Sequence, residues 1–216
     1  MSCKQPHNTA LLIGNVVKRL PYGEPFTTRR FLSLGSRAAV DQTLTRMVKA
    51  GLLSRPVRGV YVRPKINRYV GEVAPEPQKV AEAIARETGA AVQVHGAEAA
   101  RRMGLTTQVP ITPVFYTSGP TRRFRLGKME VLLKHISPRK LYLVGHPAGI
   151  ALTALWYLGK KSVSLATIAQ VRSTLTEQEY DRLLSAISMM PGWLRTTFAN
   201  YEKETADDGV PAPASR

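Results

Sequence analysis

Residues 26–65 read FTTRRFLSLGSRAAVDQTLTRMVKAGLLSRPVRGVYVRPK, and the rest of the chain is most easily read outward from them. Thr27 has the side chain of an N-cap for a first short helix, with Phe31, Leu32 and Leu34 as its apolar positions. Leu34-Gly35 is expected to turn the chain. Ser36 then caps a second helix, because its hydroxyl accepts from the unpaired N–H groups of the first helical turn. Val40, Leu44, Met47 and Val48 recur at the spacing of one buried stripe on that helix. Gly51 supplies the left-handed residue that ends it.

The face opposite that stripe carries Ala38, Gln42, Thr45 and Lys49, flanked by Asp41 and Arg46, with Arg37 in the first turn. Small and amide side chains flanked by bases suit a helix entering a DNA major groove. Residues 52–57, Arg58-Gly59 and 60–62 then read as strand, tight turn and strand, with Arg55 and Arg58 near the tip. Such a basic tip follows the backbone or enters the minor groove. The order is that of a winged helix-turn-helix. A preceding helix opening at Asn8 or Thr9, with Ile13, Val16, Val17 and Leu20 on one face, completes it, and Pro21 and Gly23 stop that helix.

Charge agrees with this reading. The chain has 216 residues and a net charge of +16. Thirteen of its Lys and Arg but only two of its carboxylates lie in residues 1–70, whereas residues 146–216 are neutral. A localised basic field is the electrostatic footprint of nucleic-acid binding. At 44% hydrophobic the sequence has enough apolar residues for a proper core. Cys3, the lone cysteine, excludes an internal disulfide and a cysteine zinc site. No signal-peptide pattern is read at the N-terminus, and the longest apolar run, 148–158, is too short to span a bilayer. The expectation is a cytoplasmic protein without a membrane partner.

Beyond Gly71, Pro75 and Pro77, which mark a connector over 66–77, a second domain is expected. Its elements are a helix at 78–88, a strand at 91–94, a helix at 97–103, and strands at 114–117, 123–126, 129–135 and 141–144. Helices follow at 148–158 and 164–175, then one opened by a capping box at Thr176-Glu-Gln-Glu179, then one with Pro191 at its first position. The fold class is therefore α+β. An N-terminal winged helix-turn-helix (1–71) precedes a mixed domain with a small, mostly antiparallel sheet and C-terminal helices (72–204), and a polar tail (205–216) is expected to be disordered. Arg122, Arg123, Arg125 and Lys128 cluster on one hairpin, either as a second nucleic-acid surface or as a charged, protected sheet edge.

Catalytic constellations are absent from the pattern. Asp does not occur between Asp41 and Asp181, so no carboxylate set converges for a divalent metal. Glu130 and Lys134 in MEVLLKH share a strand face but have no Asp partner. No phosphate-cradling Gly-rich loop with its Lys and Ser/Thr is present. His95, His135 and His146 lack ligand spacing and read as structural, and Met189-Met190 as core filler. A binding protein without metal or cofactor is expected, not an enzyme.

The 26–65 segment, together with VAEAIARETG, HGAEAARRMGL, TTQVP and LLKH, resembles the AbiEi family of type IV antitoxins over residues 8–160. That resemblance implies a bacterial repressor of its own operon, binding inverted repeats in promoter DNA. It also implies protection against a co-encoded nucleotidyltransferase-like toxin. The recognition helix would be 36–50 and the wing 55–61. On this reading Ser36, Arg37 and Lys49 hold phosphates, and Gln42, Thr45 and Arg46 read base edges. Arg55 and Arg58 anchor the wing, with Thr28 and Arg29 beside them. The second domain, HGAEAARRMGL above all, would serve neutralisation of the toxin or touch further DNA. A related alternative is a protein-interaction module or DNA-binding factor of a mobile element with no toxin.

Overall fold

The computed structural model describes residues 6–207. It is a mixed α+β chain of two compact units, which among the described residues are 6–90 with 121–133, and 91–120 with 134–207. Eight α-helices and small antiparallel strand pairs are present among the described residues. Cys3 and residues 208–216 lie outside them.

In the first unit, α1 (Pro6–Arg19) is followed by β1 (Phe26–Thr27), a 3-10 turn (Thr28–Phe31) and α2 (Arg37–Lys49). β2 (Ser54–Val57) and β3 (Val60–Val62) form a hairpin around Arg58-Gly59, and Gly59 takes φ +85° there. β1 adds to β3 antiparallel, with Phe26 opposite Tyr61. Pro56 lies where the β2–β3 register shifts, between Ser54 and Val57, a place where the missing N–H costs nothing. Ile13, Val17, Leu20, Phe26, Phe31, Val40, Leu44, Leu53 and Tyr61 make one core. Phe31 meets Phe26 edge-on at 5.5 Å, and Phe26 stacks on Tyr61 at 6.1 Å.

The α2 reading holds in detail. Ser36 accepts from Ala39 N–H, Val40 and Leu44 are fully buried, and Gly51 has φ +71°. The helix expected before it shrinks to a single 3-10 turn, and Thr27 makes no side-chain cap. The cause is β1, which keeps the backbone extended through Thr27, and Leu32 is left exposed. Gly35 is required by closeness, not by its φ. A Cβ there would lie 2.6 Å from Thr9 Cγ2, and Thr9 Oγ1 donates to Leu34 O at 3.2 Å.

The expected connector over 66–77 contains a further hairpin, β4 (Lys65–Asn67) and β5 (Gly71–Val73). α3 (Pro77–Arg86) then packs on β1 and β3, so the first unit continues past residue 72. The hairpin β8 (Arg122–Leu126) and β9 (Met129–His135), paired Phe124 to Val131, contributes residues 121–133 to this unit.

In the second unit β6 (Val92–Val94) pairs antiparallel with β7 (Val114–Thr117), and α4 (Gly96–Arg102) lies between them in the chain. α5 (Pro147–Leu158), α6 (Leu165–Thr174), α7 (Glu177–Ser185) and α8 (Gly192–Asp207) follow. The strand expected at 141–144 does not form. Pro138 starts a 3-10 turn instead, and Leu143 and Gly145 take left-handed φ of 65° and 88°, which no strand accommodates. The capping box sits on α6, where Ser164 and Thr167 satisfy each other's N–H. On α7 only half of the expected box forms: Thr176 caps Glu179 N–H, while the Glu179 carboxylate accepts from Ala148 N–H and Arg182. Residues 205–207, assigned to the tail, continue α8, with Thr205 Oγ1 donating to Tyr201 O at 3.0 Å.

Candidate nucleic-acid interface

α2 presents the expected outward face. Ala38, Gln42, Thr45, Arg46 and Lys49 are all exposed, along with Ser36 and Arg37 in the first turn. Two of them have neighbours on the helix itself. Thr45 Oγ1 donates to Asp41 O at 2.7 Å, and Arg37 lies 3.5 Å from the Asp41 carboxylate. The Arg37–Asp41 pair is solvent-exposed and therefore weak, so Arg37 exchanges it for another anion at little cost. Gln42, Arg46 and Lys49 project from three successive turns on one face of the helix.

The β2–β3 hairpin holds the other candidates. Arg55 and Arg58 are exposed. The Arg55 guanidinium lies 5.6 Å from the centre of the Tyr61 ring. Arg58 occupies the turn and lines a cleft of about 230 Å³ with Thr27, Thr28, Arg37 and Glu87. Arg122 of β8 reaches the same cleft, because β8 packs beside β2. Three guanidinium groups from three separate elements thus face one concave surface. Thr28 sits in its wall with only 4% of its surface exposed, so it shapes the cleft instead of projecting from it. Glu87 Oε1 is buried without a hydrogen-bond partner, the one such side-chain atom among the described residues.

Arg29 is placed differently from the expectation. Its guanidinium donates to Arg86 O at 3.2 Å and Glu87 O at 2.6 Å. It therefore serves the last carbonyls of α3, where a helix end leaves carbonyls unpaired and favours a cation, and its reach outward is reduced. A second cleft of about 390 Å³ lies beside it, lined by Phe26, Thr27, Arg29, Arg30, Ala83 and Arg86. Of the hairpin cluster, Arg122 joins the first cleft. Arg123 points to the other face of the strand and pairs with Glu130 at 3.5 Å, and Arg125 and Lys128 are exposed.

Arg86, and the meeting of Arg122 with the β2–β3 turn, escape a reading of the sequence, because long-range packing of α3 and β8 brings them to β1 and β2. The β4–β5 hairpin escapes it too. It exposes Ile66, Tyr69 and Val70 at 70%, 76% and 73%, and the Arg68 guanidinium lies 4.5 Å from the Tyr69 ring.

His95, His135 and His146 have structural partners. His95 caps α4 by accepting from Ala97 N–H at 3.2 Å, His135 lies 2.9 Å from Gly119 O, and His146 contacts Glu179 and Arg182. Among the described residues no group of three His, Cys, Asp or Glu gathers as a metal set, and no helix is long and apolar enough to cross a membrane.

Comparison with curated proteins finds no match. Among solved structures, the RV2827C protein of Mycobacterium tuberculosis is similar at 16% identity over 87% of this chain and 76% of that one, with a TM-score of 0.39. A model of a family of unknown function, DUF6088, matches residues 12–183, and the chain belongs to that family.

Proposed function

We propose that the first unit is a winged helix-turn-helix that binds duplex DNA and that the protein acts as a transcriptional repressor. The observation that carries this reading is the shared outward exposure of Gln42, Thr45, Arg46 and Lys49 on α2, with Arg58, Arg37 and Arg122 around one cleft beside it. In the proposed complex α2 enters the major groove. Gln42 and Arg46 read base edges, Gln42 favouring adenine and Arg46 guanine. Lys49, Arg37, Arg55, Arg58 and Arg122 hold phosphates and fix the register.

The resemblance to AbiEi antitoxins extends the proposal to autoregulation and to protection against a co-encoded toxin, with binding and not catalysis as the activity. One observation favours a protein partner as well. The β4–β5 hairpin holds Ile66, Tyr69 and Val70 in solvent, an apolar tip that suits docking.

The test is retention of duplex from upstream of the protein's own gene by the full chain. Arg46→Ala and Arg58→Ala should each weaken it at least about fivefold. Unchanged retention in both variants would refute the assignment.

A further inference from the structure

The second unit contains a cleft of about 230 Å³ that the DNA reading does not use. Tyr116, Trp156 and Tyr157 supply aromatic surface to it, Lys134 and Lys140 supply charge, and Thr153 and Ile136 complete the lining. No carboxylate is among these residues. The Lys140 ammonium lies over the Trp156 ring, 5.9 Å from its centre, so a cation and a π face meet on one wall of the cleft.

The aromatic wall is held from behind. The His95 ring lies 4.8 Å from Tyr116 and 5.5 Å from Tyr157. Its Nδ1 accepts from Ala97 N–H, which leaves the proton of the neutral ring on Nε2. Burial, with Lys134 adding to it, holds its pKa below the usual value. The histidine is therefore an uncharged spacer between the two tyrosines. Gly96 allows the close approach: a Cβ there would lie 2.2 Å from Tyr157 Cβ. Thr153 is likewise fixed, its Oγ1 donating to Gly149 O at 2.8 Å.

Flat aromatic faces beside two lysines, with no acid to repel an anion, recognise a planar ring that carries negative charge. A cleft of about 230 Å³ is smaller than ordinary drug-sized pockets, and it suits a single base, with its phosphates reaching out to the exposed lysines, instead of a dinucleotide. We propose that this cleft is a nucleoside-phosphate site, with the base stacked on Trp156 and Tyr157 and the phosphates held by Lys134 and Lys140. Stacking of one base and two ammonium–phosphate contacts are the two sources of affinity. None of these residues belongs to the proposed DNA face, so either reading can fail alone.

The test is isothermal titration of the full chain with ATP, adenosine and inorganic tripolyphosphate, and with a single-stranded octanucleotide. The expected result is saturable ATP binding, at least about tenfold weaker binding of adenosine and of tripolyphosphate, and at least a tenfold loss for ATP in the Lys134→Ala/Lys140→Ala double variant. Both lysines are exposed, and an unchanged melting temperature would show that the variant is folded. Absent ATP binding, ATP binding indifferent to the double substitution, or tripolyphosphate binding equal to ATP would overturn the proposal. An octanucleotide that binds at these lysines more tightly than ATP would also overturn it, assigning the cleft to a nucleic-acid strand.

Discussion

On the proposed DNA-binding reading, Gln42 and Arg58 have different tasks, and their substitutions should separate them. Gln42 is exposed on the outward face of α2 and is assigned a base edge. Gln42→Ala should cost about 1–3 kcal/mol on the preferred site and almost nothing on scrambled duplex. Arg58 is assigned phosphate, so Arg58→Ala should weaken both duplexes alike, as read by fluorescence anisotropy. Away from DNA, Glu98 carries a pH dependence. Hydrogen bonds from Arg101 first, and from Arg102, hold its carboxyl at about 2 instead of 4.5, against the opposing effect of burial. A depressed carboxyl stabilises the fold above its unfolded pKa and loses that contribution as pH falls through the folded one. Glu98→Gln should therefore lower stability at neutral pH by about 1 kcal/mol after solvent screening. It should also flatten the loss of stability between about pH 5 and pH 2, measured by urea unfolding. Gly149 of α5 has no room for a side chain: a Cβ there would stand 2.1 Å from Leu143 O, a backbone atom that cannot swing aside. Gly149→Ala should destabilise by at least about 2 kcal/mol in the same assay.

At the scale of elements, local signals were legible and long-range ones were not. α2 was readable because its cap, its buried stripe and its terminal glycine are all encoded within 36–51, and each acts through neighbours three or four residues away. Ser36→Ala should accordingly cost about 1 kcal/mol of stability, by the same unfolding measurement. The helix expected before it depended on something the local pattern does not contain, the pairing of Phe26 and Thr27 with β3. The strand expected at 141–144 looked apolar enough, yet Leu143 adopts a left-handed conformation that only its surroundings can impose. The same distinction runs through the candidate interface. Gln42, Thr45, Arg46, Lys49, Arg55 and Arg58 follow from helical and hairpin periodicity. Arg122 enters the cleft only because β8 packs beside β2, and Arg29 is engaged by backbone carbonyls only because α3 ends against it. Thr176-Glu-Gln-Glu179 has the letters of a capping box, but Ala148 and Arg182 compete for the same carboxylate.

For the molecule as a whole, the net charge of +16 makes salt the decisive variable. If Lys49, Arg37, Arg55, Arg58 and Arg122 hold about four to five phosphates, the logarithm of affinity should fall about four units per decade of salt. Arg122→Ala should reduce that slope by about one while leaving sequence preference intact. The measurement that bears most directly on the central claim is anisotropy of the full chain on duplex from upstream of its own gene, against a scrambled duplex, at two salt concentrations. The account predicts tight binding that prefers the upstream sequence at both concentrations and weakens steeply with salt. Weak binding that is blind to sequence would contradict it, because the basic first unit would then be a non-specific polycation and not a reader of DNA.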